Sequence, residues 1–92
     1  MKKIIVSLAL MAGLAFAGTV LATQQICPQV PPNEWVSTQQ IEAEALKLGY
    51  EKVFFVQPDG GCWVAFAEKE GVHYEVFFHP ATLEVVRTER GS

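Results

Sequence analysis

The stretch Gly71 to Val85, GVHYEVFFHPATLEV, decides the fold. Val72 to His79 is rich in β-branched and aromatic residues, Gly71 breaks the chain in front of it, and Pro80-Ala81-Thr82 supplies turn chemistry before another apolar run, Leu83 to Thr88. These are two strands joined by a tight turn. Tyr74, Val76 and Phe78 alternate onto one face, yet Phe77 stands among His73 and Glu75 on the other. A strand that is apolar on both faces needs a cover on each.

Working back from this strand, Cys62 to Glu68 and Lys52 to Gln57 have the same composition, and Pro58-Asp59-Gly60-Gly61 between them is a strong turn signal. Further back the period changes from two to that of a helix. Ile41, Ala45 and Leu48 recur at i, i+4 and i+7, with Glu42, Glu44 and Lys47 on the wet side. Ser37 followed by Gln40 forms a capping box, Val36 with Ile41 is placed as a hydrophobic staple, and Gly49 closes the helix. The expected fold is α+β: one N-terminal helix packed on a three- to four-stranded antiparallel sheet.

Before the helix, residues 23–36 carry Pro28, Pro31 and Pro32 without periodicity and read as an extended arm. Residues 1–22 read as a signal peptide: Met1-Lys2-Lys3 is basic, Ile4 to Phe16 is apolar, and Val20-Leu21-Ala22 suits cleavage after Ala22, with cleavage after Ala17 as the alternative. The apolar run falls short of the about 20 residues of a membrane span. Gln24, Gln25 and Ile26 before Cys27 do not suit a lipid-anchor site. The expected location is therefore periplasmic or secreted, with no membrane span in the mature chain, residues 37–92 forming the folded domain.

Removing Lys2 and Lys3 leaves five basic against ten acidic groups, a balance that argues against nucleic acid and anionic lipid as partners. In an exported chain of about 70 residues, Cys27 and Cys62 are expected to pair and supplement a thin core. Closing such a loop contributes roughly 3 to 4 kcal/mol in the chain-entropy account. No metal or cofactor is expected. His73 and His79 lie six strand residues apart, roughly 20 Å, too far for one coordination shell. His73 with Glu75 lacks a nucleophile, Ser37 reads as a cap, and Trp35 and Trp63 as core or core-edge aromatics, so no catalytic residue is assigned.

In order and spacing, W-V-S-T-Q-Q-I before the helix, L-G-Y after it, D-G-G-C-W, E-G-V-H-Y-E-V-F-F and H-P-A-T-L-E-V-V resemble the small secreted form of the PepSY domain family, from Cys27 to Val86. Two positions depart from the family pattern: His79 stands where aspartate is usual, and Leu83 where glycine is usual. The resemblance implies that Val53, Phe55, Trp63, Ala65, Ala67, Tyr74, Val76 and Phe78 face the helix. Phe54, Val56, Val64, Phe66 and Phe77 then form an apolar outer face, to which a partner is assigned. It also implies a non-enzymatic role, since PepSY domains resemble part of the propeptide of thermolysin-type peptidases and stand-alone forms are held to regulate envelope or secreted proteins. The expected function is a small exported binding module acting on an envelope or secreted protein, a peptidase among the candidates. The alternative is a structural domain whose outer face forms a homodimer.

Overall fold

The computed structural model describes residues 25–91, so the expected signal peptide lies outside the described residues. An arm leads through a 3₁₀ turn at Pro32–Glu34 into helix α1, Thr38–Lys47. Four strands follow: β1 Lys52–Asp59, β2 Cys62–Lys69, β3 Val72–Phe78 and β4 Val85–Arg90. They form one sheet in chain order, each pair antiparallel, so the molecule is a meander with a helix on one face.

The local chemistry accounts for each element. Ser37 Oγ accepts from the Gln40 N–H at 3.2 Å and Gln40 Oε1 accepts from the Ser37 N–H at 3.0 Å, closing the capping box. The β1–β2 and β2–β3 hairpins turn on two residues each, Gly60-Gly61 and Glu70-Gly71, all four with positive φ, the conformation that matches strand twist. Ile41 and Ala45 of α1 meet Ala65, Val76 and Phe78 in a buried core flanked by Val36, Tyr50, Val53, Val56, Trp63, Tyr74 and Leu83.

The fourth strand begins at Val85, two residues later than expected, because the segment before it is spent on the turn. The His79 N–H donates to the Glu84 carbonyl at 2.7 Å, the Leu83 N–H donates to the His79 carbonyl at 3.1 Å, and Leu83 takes φ 71°. Leucine thus adopts the backbone that glycine favours, and its side chain packs on the helix-side core.

Strand β1 does not alternate as expected. Val53 pairs with Ala67 and Phe55 with Phe66, so Phe54 is an extra residue and Phe54-Phe55 together oppose one position of β2. Beyond the bulge the parity is inverted. Val56 therefore packs on the helix-side core, correcting its assignment to the outer face. Phe55 stacks on Phe66, with ring centroids 4.4 Å apart, correcting its assignment to the helix side.

The outer sheet face as candidate functional site

On the face away from α1, the cross-strand register sets Val64 beside Phe77, Phe66 beside Glu75, and Glu68 beside His73. From β4, Glu89 stands opposite Glu75 and Arg87 opposite Phe77. This face has two halves with different covers.

The half near the Gly60-Gly61 turn is sealed by the arm. Cys27 and Cys62 form a disulfide with Cα atoms 5.2 Å apart, and with Val64 and Phe77 they make a second buried cluster against which Ile26 and Phe66 pack. Val64 is 1% exposed and Phe77 4%. The Ile26 and Cys27 N–H groups both donate to the Gly60 carbonyl, at 2.8 and 3.0 Å, so the arm is tied to the hairpin by its backbone as well as by sulfur. Gly61 lets it approach: a Cβ there would come within 2.9 Å of the Cys27 carbonyl oxygen. The arm then rounds the end of the sheet to the helix side. There Trp63 Nε1–H donates to the Val36 carbonyl at 2.9 Å, the Val36 N–H donates to the Pro80 carbonyl at 2.8 Å, and Trp35 sits edge-on to Trp63 at 5.0 Å.

The other half is open. Phe54 is 47% exposed and Phe55 51%, and Phe66 is half-buried beneath them. These rings, with His73 and Glu75, border a groove of about 260 Å³. His73 lies edge-on to Phe54 at 5.3 Å, and its Nε2 is 3.4 Å from a Glu68 carboxylate oxygen. Lys52 Nζ lies 5.7 Å from the centre of the Phe54 ring, and Arg87 lies 5.4 Å from that of Phe77 while holding Glu89 at 2.8 Å.

Of the five residues assigned to the outer face, the structure brings four together on it, and only Phe54 and Phe66 belong to the open half. Val64 and Phe77 are covered by the arm, and Val56 is on the opposite face. Phe55 is the residue that sequence reasoning missed. The signal was present, since Val53-Phe54-Phe55-Val56 is four apolar residues in a row, a run that strict alternation forces half outward and that a bulge resolves with both valines inward.

The remaining chemistry is structural. His79 is in the turn after β3, where its Nδ1 accepts from the Ala81 and Thr82 N–H groups. Among the described residues there is no cluster of three or more metal-ligating side chains, and no helix long and apolar enough to cross a membrane.

A helix on a four-stranded meander, with an arm stapled across part of the outer face, is the frame onto which the comparisons with known proteins fall. The chain belongs to the PepSY family: the family described as peptidase propeptide and YPEB domain matches residues 3–89. No curated protein and no solved structure matches it. Membership makes it a propeptide-like or regulatory module, of a kind that is generally non-catalytic, often engages other proteins and typically works outside the cytoplasm.

Proposed function

We propose that this protein is a small exported, non-enzymatic module that regulates or inhibits an envelope or secreted protein, a peptidase among the candidates, and that it binds through the open half of its outer sheet face. One observation carries the reading: Phe54 and Phe55 are adjacent, each about half exposed, and stand on a bulge beside a groove, while the half of that face near the Gly60-Gly61 turn is sealed by the arm. Aromatic side chains held rigid at a polar-rimmed surface are the usual anchors of protein contacts. The disulfide supports an oxidising compartment.

Homodimerisation through the same patch is the competing reading, and the sheet edges lend it no support. Edge strand β1 carries a bulge, Lys52 and Pro58, and edge strand β4 carries an irregular register at Val85 with Arg87, Glu89 and Arg90, features that discourage strand addition.

Replacing Phe55 with a photo-crosslinking phenylalanine in cells tests this. Adducts to another protein are expected from position 55 and not from Glu42 on the exposed helix face. Adducts only to a second copy would support the dimer, and adducts from Glu42 alone would contradict both.

A further inference from the structure

The open half of the outer face has a pattern of charge that its apolar groove alone does not explain. Three carboxylates stand on this part of the sheet, and two are satisfied: Glu68 faces His73 and Glu89 is held by Arg87. Glu75, between them, is half-buried, lines the groove, and has no ion-pair or side-chain hydrogen-bond partner among the described residues. It also stands directly opposite Glu89, a like-charge placement in which Arg87 serves Glu89 and Glu75 is left without a cation. The rings show the same asymmetry. Phe54 carries Lys52 and Phe77 carries Arg87, but the stacked pair Phe55 and Phe66, next to Glu75, has no cation of its own.

A half-buried carboxylate standing across the strand pair from Phe66, which itself stacks on Phe55, matches one ligand chemistry in both parts. A guanidinium or ammonium group satisfies the carboxylate by charge-assisted hydrogen bonds, and its alkyl stem and charge lie favourably on the rings. The groove volume of about 260 Å³ holds one long side chain rather than a folded element. Guanidinium fits better than ammonium, because its plane stacks on an aromatic face while its fork reaches a carboxylate.

We infer that the groove bordered by Phe55, Phe66 and Glu75 receives an arginine side chain of the partner protein, the guanidinium pairing with Glu75. This rests on the proposed role of the open face as the docking surface and adds the chemistry of what docks there.

The test is a titration of the isotope-labelled, disulfide-bonded protein, followed through its amide resonances, with three blocked pentapeptides, Gly-Val-X-Val-Gly, in which X is arginine, citrulline or leucine. The arginine peptide is expected to shift the amides of Phe55, Phe66 and Glu75. The citrulline peptide, of the same shape without the charge, should bind about tenfold more weakly, the scale of one charge-assisted contact. Glu75→Gln should reduce arginine-peptide affinity by about the same factor and leave citrulline-peptide affinity unchanged. Glu89→Gln, whose carboxylate Arg87 already holds, should have little effect. If arginine, citrulline and leucine peptides bind the groove equally, or Glu75→Gln changes nothing, the arginine assignment is overturned while the groove stands as a docking surface. If none of the peptides shifts these amides up to millimolar concentration, the assignment and the docking reading both fall.

Discussion

At His79 the backbone N–H groups of Ala81 and Thr82 donate to one imidazole nitrogen, over 3.1 and 3.2 Å. An aspartate carboxylate accepts two turn amides in the same way, so histidine preserves the function of the residue usual in the family by offering a lone pair at similar reach. His79→Asp should keep the urea midpoint near its original value. His79→Leu, which accepts nothing, should lose about 1 to 2 kcal/mol, the net worth of two such bonds. Three residues on, Leu83 has φ 71°, a conformation costing a side-chain-bearing residue roughly 1 to 2 kcal/mol. Its contact with the helix-side core offsets that cost. Leu83→Ala keeps the strain and loses the contact, whereas Leu83→Gly loses both. Urea unfolding should therefore rank Leu83→Ala below Leu83→Gly, and the reverse order would show that the backbone there is unstrained.

Among the elements, helix α1 was the most legible. Ser37 and Gln40 are spaced to answer each other's backbone donors, and of the three residues the apolar period places inward Ile41 and Ala45 are fully buried, whereas Leu48, at the C-cap, is 43% exposed. Ser37→Ala should lower stability by about 1 kcal/mol, and an unchanged urea midpoint would show that the cap contributes nothing. Both hairpin turns were readable from their glycines, Gly60-Gly61 and Gly71, since positive φ favours few residue types, although Glu70 takes it too. Strand β1 was not. Its four apolar residues fit either a regular strand with Val56 outward or a bulged one with Val56 inward. Local preference cannot choose between these, because the choice depends on which side chains the helix covers. The extent of the arm's cover was equally hidden: two cysteines indicate a staple, but the bonds from Ile26 and Cys27 to Gly60 depend on a turn closing elsewhere in the chain.

The molecule as a whole keeps two small cores on opposite faces of one thin sheet, and the second depends on the arm. Opening the disulfide by Cys27→Ala with Cys62→Ala should cost about 2 to 4 kcal/mol and uncover Val64 and Phe77, read as a rise in binding of an apolar fluorescent dye under native conditions. Phe77 is therefore part of this second core and not of the free surface to which its outward parity alone assigned it. The outer face is thus divided into a sealed half that stabilises and an open half that we propose for recognition. The urea unfolding free energies of Phe77→Ser and Phe55→Ser distinguish the two halves. Phe77→Ser should lose about 3 to 5 kcal/mol, as for a buried aromatic, and Phe55→Ser about 1 kcal/mol, the worth of an exposed ring stack. Equal losses, or a larger one at Phe55, would show that the face is not divided in this way.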